Sequence, residues 1–183
     1  MMKIKLIALF LFVAVSTSFA QKGKMFPSIS GETLTDKTMS VPANTKGKVT
    51  LIGMAYSKKS DDLLKKWFEP IYTTFVDPPE VAFMPSSSYD THIYFIPMLR
   101  GVAKAASGTI VKKMKQNIDK KLHNHTLVYK GAIKEYKKAL KLGQKDLPYF
   151  FILDKSGKVV YHTAGAYSSA KLSDIIDAVE KYQ

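Results

Sequence analysis

Two uninterrupted apolar runs limit the folds open to this chain. Residues 49–55 (VTLIGMA) and 147–153 (LPYFFIL) carry no charged side chain, and neither shows the polar alternation of a strand with one wet face. Short runs of this composition are strands covered on both faces, which requires layers packed above and below a sheet. Both should therefore lie in the interior of one sheet, side by side.

The first run leads into a segment where Leu63, Leu64, Trp67, Phe68, Ile71, Tyr72 and Phe75 recur on one side at helical spacing. Ser57 or Ser60 is suited to cap that helix, and Asp61 and Asp62 in its first turn suit the positive end of the helix dipole. Pro70 should bend the helix or end it early. Residues 22–48 are rich in turn formers and read as an N-terminal loop or hairpin. Residues 92–99 form a further apolar strand, and 77–90 a proline- and serine-rich loop. Ile110, Met114, Ile118 and Leu122 mark a long helix with lysines opposite, 126–129 a short strand, and 133–142 another basic helix. The second apolar run closes on Asp154-Lys155-Ser156-Gly157, a hairpin turn into 158–162. Leu172, Ile175, Ile176 and Val179 face one side of a last helix. Strands alternating with helices and ending in a hairpin predict a single α/β domain with a mixed sheet.

Residues 1–20 have a different character. Lys3 and Lys5 precede a nearly unbroken apolar run from Ile4 to Val15, and Ser18-Phe19-Ala20 supplies a small-x-small site. The pattern is that of a secretory signal peptide, cleaved before Gln21, with an apolar run too short to span a bilayer. Residues 21–183 are then expected to be an exported domain, periplasmic or extracellular, and not an integral membrane protein. The chain has no cysteine. It can form neither a lipid-anchored N-terminal cysteine nor a disulfide, and it has no thiolate for disulfide exchange or peroxide reduction, so its stability rests on its core.

The stretch from the first apolar strand through Tyr56-Ser57-Lys58-Lys59-Ser60 to a helix resembles the thioredoxin-like superfamily, in its extracytoplasmic thiol-disulfide oxidoreductase branch. The later LPYFFILDKSGKVVY, with its strand, Asp-x-x-Gly turn and second strand, carries the same likeness. The resemblance implies a thioredoxin-like sandwich: a central mixed sheet flanked by helices, here with a lysine-rich helical insertion. It also implies that Ser57 and Ser60 stand at the two cysteine positions and that Pro148 is the cis-proline facing them. A groove lined by Tyr56, Ser57, Lys58, Ser60, Leu147 and Pro148 would then accept an extended protein or peptide partner by strand addition, which needs no sulfur. Residues 124–165, NHTLVYKGAIKEYKKALKLGQKDLPYFFILDKSGKVVYHTAG, are also similar in layout to the mitochondrial ATP synthase assembly factor family. That family is a thioredoxin-like group of chaperones, so the likeness implies a binding or chaperone-like role.

Charge suggests a second surface. Without Lys3 and Lys5 the net charge falls from +13 to +11, and residues 104–145 hold twelve lysines against Asp119 and Glu135 alone. If the two basic helices lie side by side, Lys112, Lys113, Lys120, Lys121, Lys134, Lys137, Lys138 and Lys141 form a field for an anionic envelope component, and the protein acts as an electrostatic adaptor. Lysine favours diffuse charge over bidentate phosphate recognition. With Tyr129 and Tyr136 as the segment's only tyrosine pair, no platform for nucleic acid is expected. His123 and His125 would share one side of a strand, with His92 and His162 elsewhere, but no local carboxylate or cysteine completes a site, so no metal or other cofactor is expected. Ser57 beside Lys58 at a helix start also fits a cysteine-free serine hydrolase, although capping accounts for the serine and no catalytic residue is assigned.

Overall fold

The computed structural model describes residues 22–79 and 89–183. The apolar leader and most of the 77–90 loop lie outside them. The strands are β1 (Ile29–Thr33), β2 (Thr38–Val41), β3 (Val49–Ala55), β4 (Thr91–Leu99), β5 (Leu127–Lys130), β6 (Tyr149–Leu153) and β7 (Val159–Ala164). The helices are α1 (Lys58–Lys65), α2 (Phe68–Phe75), α3 (Val102–Ala105), α4 (Ser107–Asn117), α5 (Lys134–Ala139) and α6 (Ser169–Tyr182). The strands make one sheet in the order β2-β1-β5-β4-β3-β6-β7. β3 runs parallel to β4 and antiparallel to β6, so the sheet is mixed and the two apolar runs are interior neighbours, as their composition requires.

Every residue of β3 is buried, and its side chains divide between two cores. Val49, Leu51 and Ala55 join Trp67, Phe68, Ile71, Phe95, Phe150, Ile175 and Val179 on the face covered by α1, α2, α4 and α6. Ile52, Met54 and Tyr56 join Phe26, Ile29, Val41, Phe151, Leu140 and Leu142 on the other, covered by the N-terminal segment and α5. The period of two in a strand sends alternate residues to opposite faces. Residues 22–48 supply the expected hairpin, β1 with β2. The turn after β6 is closed by Asp154, whose Oδ1 accepts from the backbone N–H groups of Ser156 (2.8 Å) and Lys158 (3.0 Å). Gly157 there has φ +90°, a left-handed conformation open chiefly to glycine.

Three helical expectations change. The segment after β3 is two helices, broken at Lys66–Trp67 and not at Pro70, which sits inside α2. Proline lacks the N–H that would bond the carbonyl four residues earlier, which is that of Lys66, so the helix breaks one turn upstream. The long helix expected through Leu122 stops at Asn117. Ile118 is extended, and Asp119 caps a separate 3-10 turn, Lys120–His125. Ile118 and Leu122 are buried nonetheless, so helical spacing alone could not separate one helix from a helix and a turn. α5 is also shorter than 133–142, ending before Lys141, whose φ is +50°.

The largest change concerns the basic helices, which do not lie side by side. Ile110, Val111 and Met114 of α4 pack on the α1–α2–α6 face, whereas Ile133, Tyr136 and Leu140 around α5 pack on the opposite face. The lysines are thereby split between two sides of the sheet. The crossover between the parallel strands β4 and β5 takes α4 to one side, and the short loop after β5 leaves α5 on the other.

Gly53 sets how closely α1 approaches β3. A Cβ at this position would lie 2.9 Å from Leu64 Cδ1 and 2.9 Å from Phe150 Cε1. Gly53→Val is therefore expected to destabilise the domain by about 1–3 kcal/mol through overpacking. Urea unfolding of wild type and variant measures the difference; equal midpoints would contradict this packing.

Candidate functional site at the β3–α1 junction

β3 ends at Ala55, and the chain turns into α1 through Tyr56 and Ser57. Ser57 is the N-cap of α1 in an extended conformation, φ −141° and ψ 160°. Its Oγ accepts the Ser60 N–H at 3.1 Å, while Ser60 Oγ accepts the N–H of Ser57 at 3.0 Å and of Tyr56 at 3.2 Å. This reciprocal arrangement is a capping box with serine in place of the usual Glu or Gln at the third position. Ser60 is completely buried. Its O–H donates to the Ser57 carbonyl at 3.0 Å, and the Ser57 hydroxyl donates to Asp146 Oδ1 at 3.2 Å. Both hydroxyls are thus engaged in holding the turn.

The loop before β6 closes over this turn. The Tyr56 hydroxyl donates to the Leu142 carbonyl at 2.8 Å, and its ring lies 6.4 Å from that of Tyr149 in a stacked arrangement. Burial, and then the neighbouring Tyr149, push the Tyr56 phenol up to about 12, so it remains a donor throughout the neutral range. The Tyr149 hydroxyl in turn bonds the backbone of Gln144. Val41–Pro42 is the one cis peptide among the described residues. The Leu147–Pro148 bond is trans, against the expectation drawn from the resemblance, because this self-closed loop meets β6 with the ordinary isomer. The Leu147 N–H faces the Gln144 carbonyl at 3.4 Å, and the Pro148 carbonyl accepts from Gly165 N–H at 2.9 Å. The Leu147 N–H and the Pro148 carbonyl are thus engaged internally, which leaves strand addition there fewer free groups.

Two clefts flank the junction. The first, about 500 Å³, is bounded by Tyr56, Ser57 and Lys58, by the end of β4 from Pro97 to Leu99, by Arg100 to Ala103, and by Ile110 and Met114. Its walls are mainly apolar, and Val102 on its rim is 86% exposed. The second, about 800 Å³, is bounded by Tyr56, Arg100, Ile133, Leu142 and the lysines 134, 137, 138, 141 and 145. Tyr56 and Arg100 belong to both. Arg100 Nε donates to the Tyr56 carbonyl at 3.3 Å, and Lys137 Nζ stands 5.8 Å from the centre of the Tyr56 ring.

Of the six groove residues named from sequence, Tyr56, Ser57 and Lys58 line the first cleft. Ser60 and Pro148 are buried, Leu147 is half-buried, and none of these three lines either cleft. Lys134, Lys137, Lys138 and Lys141 gather in the second cleft, while Lys112 and Lys113 project from α4 outside both. Lys120 is exposed, and Lys121 is spent on Glu69 at 3.0 Å and on the Tyr72 ring. His123 and His125 lie in a 3-10 turn and not a strand. Their rings engage the carbonyls of Ile118 and Ile93 respectively. Arg100, Val102 and Asp146 carried no motif in the sequence; they reach the junction only through the sheet order and the folded loop.

The sequence profile of the ATP10 protein family matches residues 11–181. The chain belongs to that family. The match agrees with the assembly-factor likeness of residues 124–165, and the solved structures agree with the thioredoxin-like one. Superposition on the thioredoxin domain of a thiol-disulfide oxidoreductase from Bacteroides vulgatus gives a TM-score of 0.57 at 15% identity, covering 88% of this chain and 98% of that one. A thiol:disulfide interchange protein of the DsbE type from Chlorobium tepidum gives 0.57 at 13%, covering 88% and 96%. A member of the Sco family of cytochrome c oxidase assembly proteins gives 0.53 at 14%, covering 86% and 95%. At these identities the likeness is one of fold, and it makes this sheet and its helices thioredoxin-like. No curated protein matches the chain.

The two serine oxygens are 3.1 Å apart, so their Cβ atoms point toward one another. Ser57→Cys with Ser60→Cys should therefore close a disulfide under mild oxidant, within the roughly 4.4–6.8 Å of Cα separation that such a bridge spans. Thiol titration before and after oxidation reads the outcome. Two persistently free thiols would mean that the serines do not converge as described.

Proposed function

We propose that this protein is exported and works as a redox-inactive, thioredoxin-like assembly or chaperone-like module that holds a partner protein where β3 and β4 end. The observation that carries this reading is the state of the two serines: both are consumed in the helix cap and in the bond to Asp146, yet open clefts lie on either side of them. A site built for chemistry would present an activated group to its cleft. Here Ser57 turns its hydroxyl to a carboxylate of the covering loop, and no histidine lines either cleft. With no cysteine in the chain, thiol exchange is closed to it.

Membership of the ATP10 family supports assembly as the task, and the Sco protein is a second case of this fold in an assembly protein. The apolar leader supports export, as does the likeness in fold to an exposed lipoprotein thioredoxin of Streptococcus pneumoniae, at a TM-score of 0.57 and 11% identity. No helix among the described residues is long and apolar enough to cross a membrane.

A photoreactive amino acid placed at Lys58, on the rim of the first cleft, should yield discrete protein adducts in the envelope of the expressing cell. The same group at Lys181, at the far end of α6, should not yield them. Adducts that are absent from both, or identical from both, would overturn the assignment of the binding face.

A further inference from the structure

The lysines of the second cleft differ from those elsewhere in the molecule. Among the described residues the ion pairs engage Lys48, Lys65, Lys115, Lys121 and Lys130. None of the cleft's five lysines, 134, 137, 138, 141 and 145, has a carboxylate partner there, and Arg100 is anchored to a backbone carbonyl. Like charges gathered around one concavity repel one another and focus a positive potential into it. Immediately across Tyr56 and Arg100 the wall turns apolar, and Val102 stands almost fully exposed on its rim. A solvent-facing β-branched side chain on an apolar cleft gains by being covered.

We infer that the two clefts form one docking site for a segment of a partner protein that is acidic along one face and apolar along the other. Its carboxylates would spread over the α5 lysines and its apolar side chains would cover Val102 and enter the cleft toward Met114. This rests on the binding role proposed above and gives that partner its chemistry. The cations are exposed, flexible and almost all lysine, which suits several dispersed carboxylates better than one phosphate held in a fixed fork. These lysines surround a concavity of about 800 Å³, which suits a protruding segment better than a flat bilayer surface. Lys112 and Lys113 project from α4 outside both clefts, although Ile110 and Met114 of the same helix line the first.

The test uses residues 21–183 and a fluorescent synthetic amphipathic helix with leucines on one face and glutamates on the other, read by anisotropy. Binding is expected to weaken steeply with salt, since exposed charges are screened. It should fall about tenfold or more in Lys137→Glu/Lys138→Glu/Lys141→Glu and about fivefold in Val102→Asp. Lys155→Glu/Lys158→Glu, in the turn between β6 and β7 and outside both clefts, should bind as wild type does. All these positions are solvent-exposed, and thermal melts confirm that each variant folds. The inference is overturned if the peptide does not bind, if a glutamine-for-glutamate peptide binds equally well, or if the triple variant binds like wild type. It is equally overturned if phosphatidylglycerol vesicles or ATP bind in place of the peptide. Envelope adducts from Lys58 that persist unchanged in the triple variant would retain the binding role and reject the acidic partner. Loss of those adducts from the wild type itself would reject both.

Discussion

The double burial of β3 is the constraint on which the rest of this structure depends. Its neighbours, β4 on one side and β6 on the other, fix it inside the sheet, and its alternate side chains anchor both cores. A one-residue slip would exchange the two sets and set Tyr56 against the wrong layer. The same strand delivers the functional face: Tyr56 goes to the α5 side, Ser57 caps α1 on the other, and the two clefts open on either side of that step. Gly53 lets α1 sit down onto the strand, so packing and site geometry are set by consecutive residues.

The turn into α1 is held by hydrogen bonds in a chain without sulfhydryls. Serine is a strong helix cap, and both hydroxyls serve that end here. The hydroxyls satisfy backbone N–H groups at the start of α1 that would otherwise be left without partners, and Asp146 ties the covering loop to the cap. The turn is thereby ordered without any thiol. What remains available to a partner is shape, apolar surface and charge.

Much of this was legible in the sequence, for physical reasons particular to each element. The two apolar runs could only be interior strands, Ser57 and Ser60 announced the cap, and Asp154 with Gly157 announced the last hairpin. The lysine surplus was visible, but its division between two faces was not, because the side to which a crossover helix goes is a property of the sheet and not of the helix. Arg100, Val102 and Asp146 were silent for the same reason: each is ordinary in its local sequence and gains a role only from what the fold sets beside it. The isomer of the Leu147–Pro148 bond was misread, since a resemblance transfers a backbone but not the loop that closes over it.

The central claim is that Ser57 serves as a structural cap and that its hydroxyl takes no part in function. Glycine at an N-cap costs only a few tenths of a kcal/mol relative to serine, so Ser57→Gly removes the hydroxyl and leaves the turn. The decisive measurement is the yield of Lys58-linked envelope adducts in this variant. An unchanged yield is predicted. Its loss, in a protein whose melting profile matches that of the wild type, would show that the hydroxyl itself acts on the partner and would contradict the account.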